Sequence, residues 1–261
     1  MATPLFVAFR GSTWRSHVQA TWQYLQRYYE ITGDVHCATH VHVSVEGGYS
    51  LEEVKRIAQA VIHFEPAFDA LVPPQRRGGE CEYAKNSWLD SDHLALENRN
   101  REQSIAYIDK ITDFYSLLSV MNPDNEKNYA WNFHSIPKYS TIEFRKPQAS
   151  TTVDEVLSWA ELEMSFIQAA VRFGSATRLK KVPSTVGGLR WFLKQSGIPG
   201  LNEHERLQWF WKGKDDNAFV ETLPLRLYLS PDEEEVLKAM REIDEKKILS
   251  LAKTAREPYW R

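Results

Sequence analysis

Residues Ala38 to Glu46, ATHVHVSVE, place His40, His42, Ser44 and Glu46 at alternate positions. Residues Lys138 to Pro147, KYSTIEFRKP, do the same with Tyr139, Thr141, Glu143 and Arg145. A period of two is the signature of a strand, whose successive side chains point to opposite faces and whose same-face neighbours stand about 7 Å apart. The groups on these faces have useful chemistry. An imidazole moves protons near neutral pH, a carboxylate orients it or ligates a metal, and a guanidinium holds an oxyanion. The opposite faces, Thr39, Val41, Val43 and Val45 with Ile142 and Phe144, read as core. A polar strand face can simply meet water, but a solvated strand is expected to carry Thr, Lys and Glu rather than two His. The two faces therefore read as one chemically dressed sheet surface.

Other constellations carry less. His40-x-His42 with Glu46 is superficially like the cupin ligand pattern, yet cupins are all-β jelly rolls and this chain is mainly helical in pattern. Glu46, directly before Gly47 and Gly48, reads as an exposed strand end. Cys37 has the opposite parity from the two His, so it is expected to be a buried, inert thiol rather than half of a Cys/His dyad. GxSxG, GxxxxGK[ST] and GxGxxG motifs are absent. His36, His63, His93, His134 and His204 have no partner at ligand spacing.

Positioning these strands falls to helices. Trp14, Val18, Trp22, Leu25 and Tyr29 recur at helical spacing before the first strand. Ser50 with Glu53 forms a capping box that opens a helix through Leu51, Ile57, Val61, Phe64 and Phe68 to a stop at Pro73-Pro74. Gln75 to Asp92 shows no periodicity, two adjacent Gly and three basic side chains, and is predicted to be a long exposed loop. Ile105, Ile108, Ile111, Phe114, Leu118 and Met121 predict one helix. Thr152 with Glu155 caps another, through Leu157, Met164 and Ile167 to Gly174. A last helix is predicted from Ser230-Pro231 with Glu233 as capping partner.

The chain has 261 residues, a formal net charge of −3 and scattered charges, which argues against nucleic acid or an acidic membrane as partner and favours a small molecule. Two cysteines make no disulfide framework, and no basic segment followed by an apolar run opens the sequence, so a reducing, cytoplasmic setting is expected. No run approaches the ~18 apolar residues of a membrane span. Nine Trp and eleven Tyr supply an aromatic-rich interior or pocket. Tyr129, Trp131, Phe133 and Tyr139 lie near the motifs.

Over about residues 5 to 175 the chain resembles the amidoligase family common in fungi, which is related to glutamine synthetase and glutamate–cysteine ligase. The resemblance rests on THVHVS, SLEEVKRIAQAVIHFEPAFDALVPPQRR, AWNFHS, KYSTIEFRKPQAS and DEVLSWAELEMSFIQAA, in that order. It implies an α+β fold in which a curved antiparallel sheet has helices on its outer face, as in the glutamine synthetase catalytic fold. It also implies ATP- and magnesium-dependent ligation of a carboxylate to an amine through an acyl phosphate. Carried over by position, His40 and Glu143 would ligate a divalent metal. His42 and Ser44 would lie against the nucleotide with Asn132 nearby, and Arg145 would hold the acyl phosphate or the substrate carboxylate. Arg76, Arg77 and Lys85 are candidate phosphate contacts by charge alone.

The pattern also departs from that family. A Glu-x-Glu strand normally opens such chains, and here MATPLFVAFRGSTW stands where a second acidic strand belongs, with Arg10 at an expected acidic position. One carboxylate and one His make a poor magnesium cage. The alternative is a metal- and nucleotide-free enzyme in which His40, His42 and Glu143 move protons for an isomerisation, cyclisation or elimination on a secondary metabolite. A further alternative is a small-molecule-binding pseudoenzyme. Residues 1–175 are expected to form the catalytic domain and 176–261 a helical extension packed on it. A sheet edge left by a missing strand would invite a second copy of the chain.

Overall fold

The computed structural model describes residues 6–8, 12–34, 36–79, 81–97, 99–197 and 205–220. In chain order the elements are α1 (Trp14–Tyr28), β1 (Val41–Val43), α2 (Leu51–Leu71), α3 (Arg101–Asp109), α4 (Phe114–Met121), β2 (Trp131–Asn132), α5 (Ser135–Tyr139), β3 (Ile142–Phe144), α6 (Val153–Phe173), α7 (Ala176–Leu179), α8 (Val186–Leu193) and α9 (Glu205–Trp211). This is a mixed α+β architecture built on one small antiparallel sheet of order β1-β3-β2. Among the described residues no helix is long and apolar enough to cross a membrane.

The scaffold is α2 and α6, each 21 residues long. Both open on the capping boxes legible in the sequence, in which the Ser50 and Thr152 side chains accept from the Glu53 and Glu155 amides and the glutamates reach back. Gly174 ends α6. The helices meet the apolar face of the sheet through an aromatic cluster. Phe68 of α2 and Phe166 of α6 pack against Trp131 of β2, with ring centroids 5.6 and 4.9 Å away, and Phe68 lies 5.6 Å from Phe144 of β3. Each of these four side chains is buried. Trp14, Val18 and Trp22 seat α1 against Leu157 of α6, while α8 and α9 pack on the opposite stretch of the α6 surface and α3 on α2.

Pro66 lies inside α2. It has no N–H to bond the Ile62 carbonyl, four residues back. Arg101 Nη1 takes that carbonyl instead, at 2.7 Å.

Several sequence expectations need correction. The segment from Gln75 to Asp92 is irregular but not exposed: Arg76, Ala84, Asn86, Ser87, Trp88, Leu89 and Ser91 are buried. The cause is on α2, where Glu65 accepts the Ser87 and Trp88 amides and Asp69 accepts Gly78 N and Asn86 Nδ2. These carboxylates supply the partners that a buried loop backbone would otherwise lack. The single helix predicted over 105–121 is two, because the Asp113 side chain accepts from Ser116 N and starts α4 afresh. The strand predicted from Ala38 to Glu46 pairs as β1 only over Val41–Val43, with Ala38 bridged to Gln148 separately. Tyr139 belongs to α5, and Ser140 at φ 56° turns the chain into β3. Cys37 is exposed rather than buried, while Cys81 is buried. Tyr129, Trp131 and Phe133 are core, and Tyr139 is exposed. Arg10 and the helix predicted from Ser230 lie outside the described residues.

Candidate active site

β3 is the central strand, and its register explains the site. Cα pairing places His42 of β1 and Asn132 of β2 on either side of Glu143. Directly opposed residues share a face, so the three form a row across the polar side of the sheet. Ile142 and Phe144 turn the other way into the core, both fully buried. The alternation that buries one face therefore sets out the other.

Glu143 is the hub. Its Oε1 lies 2.8 Å from Arg145 Nη1, 3.1 Å from His40 Nδ1 and 3.5 Å from His42 Nε2. Its Oε2 accepts from Asn132 Nδ2 at 2.7 Å, with Ser135 Oγ at 3.4 Å. His42 is oriented by Thr141 Oγ1, 3.1 Å from its Nδ1, and meets the Tyr139 ring edge-on. His40 Nδ1 also lies 3.3 Å from Arg145 Nη1. It can donate a proton to the carboxylate or accept one from the guanidinium, but not both at once.

Burial alone would raise the Glu143 pKa. Hydrogen bonds from His40, His42 and Asn132, with the Arg145 charge, outweigh it and hold the carboxyl far below its usual range. The centre is thus an ionised carboxylate wrapped in donors. It is not closed: the imidazoles of His40 and His42 keep 35 % and 41 % of their surface exposed. Two buried polar atoms in it, Asn132 Oδ1 and Arg145 Nε, have no partner. An acceptor and a donor without partners in a buried wall are the groups a bound ligand would satisfy.

His40, His42, Asn132, Glu143 and Arg145 come together, and the other residues singled out in the sequence do not join them. Ser44 is exposed beyond the end of β1. Arg76 is buried and donates to the carbonyls of Arg145, Lys146 and Pro147. Arg77 Nε donates to the Asp69 and Val72 carbonyls at the end of α2, and Lys85 pairs with Glu126. Thr141 and Ser135 touch the cluster without having been candidates. Thr141 shares the parity of Glu143 and was legible in the sequence. Ser135 reaches the site only through the turn into α5. A recess of about 380 Å³, lined by Lys181, Thr185, Trp191 and Asp216 among others, shares no residue with this cluster.

The donor set can be tested against a divalent ion. Magnesium takes six oxygens in near-octahedral array, and this cluster offers one carboxylate whose two oxygens already face a guanidinium, two imidazoles, an amide and a hydroxyl. Among the described residues no group of three or more His, Cys, Asp or Glu is arranged to hold a metal ion. The residues present do not fit magnesium. They offer an oxyanion the guanidinium of Arg145, whose Nε has no partner, beside the half-exposed imidazoles of His40 and His42.

Comparison with known families matched one of them over residues 8–167, more than half of the chain, the family described as "Putative amidoligase enzyme". Comparison with curated proteins and with solved structures gave no match.

Proposed function

The chain belongs to the amidoligase enzyme family, and from that premise we propose that it joins a carboxylate to an amine, both parts of small molecules, with ATP as the source of activation. The observation that carries this reading is the convergence of Arg145, His40, His42 and Asn132 on Glu143 at one open face. ATP, when bound, supplies the phosphoryl group that gives a carboxylate a leaving group and so makes it an electrophile.

The chain's own residues then have separate tasks. Arg145 holds the substrate oxyanion, because a guanidinium is permanently charged and offers several N–H donors in a fixed plane. His40 and His42, half exposed, take the proton that the attacking amine must lose. Glu143 fixes their ring orientation and supports the imidazolium that forms. Asn132 Oδ1 is an acceptor for an amine N–H. The polar sheet face backed by helices is also the arrangement we propose to be related to the glutamine synthetase fold.

A second reading, nucleotide-free acid–base catalysis by His40, His42 and Glu143, is favoured by one observation: both oxygens of the carboxylate already face donors supplied by side chains of the chain itself. Calorimetric titration with a non-hydrolysable ATP analogue separates the two. Saturable binding that is lost in His40→Ala and Arg145→Ala supports ligation. Absence of binding up to about 1 mM, weaker than ~4 kcal/mol of affinity, removes it in favour of the second reading.

A further inference from the structure

The misfit with magnesium has a specific origin. Arg145 Nη1 lies 2.8 Å from Glu143 Oε1 and 3.3 Å from His40 Nδ1. These two residues are the pair that the family resemblance assigns to a divalent metal. A cation therefore already lies within 3.3 Å of both, and it is covalently part of the chain.

We infer that the Arg145 guanidinium stands in the cation position of this centre, so that the Glu143 site works with a built-in positive charge and binds no divalent ion there. The inference rests on the oxyanion-handling role proposed above and adds to it which group supplies the positive charge.

Three observations support it. First, Arg145 is anchored from several directions. Its backbone N–H donates to Ala130 O at 2.8 Å, and its carbonyl is held by buried Arg76. Only 11 % of its side-chain surface is exposed. The guanidinium is thus seated by β3 rather than resting in a void. Second, the charge balance opposes a second cation. Glu143 brings one negative charge and Arg145 one positive charge, so the pair is already neutral, and a divalent ion added beside it would bring two positive charges that nothing in the pair balances in a partly desolvated wall. Third, Arg145 Nε has no partner within the protein. The guanidinium can neutralise Glu143 through Nη1 and still offer Nε to a ligand.

The test is a titration of the full chain, stripped with chelator, with Mn²⁺ as the probe. It is followed by electron paramagnetic resonance and by paramagnetic broadening of the His40 and His42 ring signals. Wild type should show no saturable Mn²⁺ binding up to about 1 mM and no selective broadening. Arg145→Met, which keeps bulk but removes charge, should gain Mn²⁺ affinity by about tenfold or more, and adding Glu143→Gln should abolish the gain. Arg145→Lys, which keeps a positive charge, should gain none. Saturable Mn²⁺ binding by wild type that Glu143→Gln or His40→Ala removes would overturn the inference, as would a folded Arg145→Met with no gain. The wild-type broadening experiment needs no variant to fold. A wild type that binds neither Mn²⁺ nor the ATP analogue upholds the Arg145 assignment and removes only the ligation reading.

Discussion

Arg145 and Lys146 are consecutive, yet they serve two carboxylate centres with opposite fates. Arg145 turns to Glu143 beside the half-exposed imidazoles. Lys146 turns to Asp69 and to Asn86 Oδ1 at 2.8 Å, in surroundings where its side chain is 1 % exposed. The second centre also holds Glu65, which accepts the amides of Ser87 and Trp88 and pairs with Arg101 at 3.0 Å. The groups are the same in kind. What separates the centres is access to water and whether the charged groups and their immediate partners keep a free polar atom. The enclosed centre has its carboxylates turned to loop amides and to cations of its own, which is structural work. The open centre retains unpartnered Arg145 Nε and Asn132 Oδ1, which is capacity for a ligand. Neither burial nor a perturbed carboxyl identifies function by itself. The Glu65 carboxyl is pushed up to about 7 by burial, against the pull of Arg101, and it still holds a loop.

The comparison can be broken at its strongest point first. Lys146→Met leaves Asp69 buried without its cation, and should cost about 3–5 kcal/mol of folding free energy in urea denaturation. A loss below about 1 kcal/mol would mean that the enclosed centre is not a structural keystone. Next, Glu65→Gln puts an NH2 group, which cannot accept, where a carboxyl oxygen takes loop amides or Arg101, at a cost of about 1–3 kcal/mol, and it should also flatten part of the pH dependence. The folded pKa of Glu65 lies above the unfolded carboxylate value, so its contribution is full below about 4.5 and lost as pH rises through about 7. The variant should lack that decline in melts taken across this window.

His63 should show the opposite slope over part of the same range. Burial lowers it to about 4, and its Nε2 donates to Val182 O at 2.8 Å, so its contribution is present above about 6.5 and lost as pH falls through about 4. His63→Gln should reduce acid sensitivity there, read from the midpoint of acid unfolding.

Largest in function is Glu143→Gln. Glu143 is itself buried, so at neutral pH the loss of its charge-assisted bonds should cost about 1–3 kcal/mol, while affinity for the ATP analogue should fall by about a hundredfold or more. The lowered Glu143 pKa places its stabilising effect above the unfolded carboxylate value, to be lost only as pH falls below it. A fold that collapses in Glu143→Gln at neutral pH would erase the distinction between the two centres.

Much of this was written in local patterns. The capping boxes of Ser50 and Thr152, the opposite faces of β1 and β3, and the grouping of His40, His42, Glu143 and Arg145 all follow from spacings of two or three residues. Asn132 was suggested by family resemblance, and its place opposite Glu143 came only with β2. Arg76 and Arg77 were misleading for a physical reason. A guanidinium in an aperiodic stretch suggests phosphate, but a buried loop also needs donors for its carbonyls, and the sequence does not say which need is met. The exposed loop predicted over 75–92 fails in the same way: burial depended on Glu65 and Asp69, which sit on another element.

The sequence alone therefore determined which side chains face together, because period and parity are properties of a short stretch of backbone. It also determined the family. Only the tertiary structure decided which faces meet, that Arg145 lies beside both Glu143 and His40, and that Lys146 is sealed while its neighbour borders the half-exposed imidazoles. Those outcomes depend on strand register and on partners far away in the chain, where distance in sequence carries no information about distance in space.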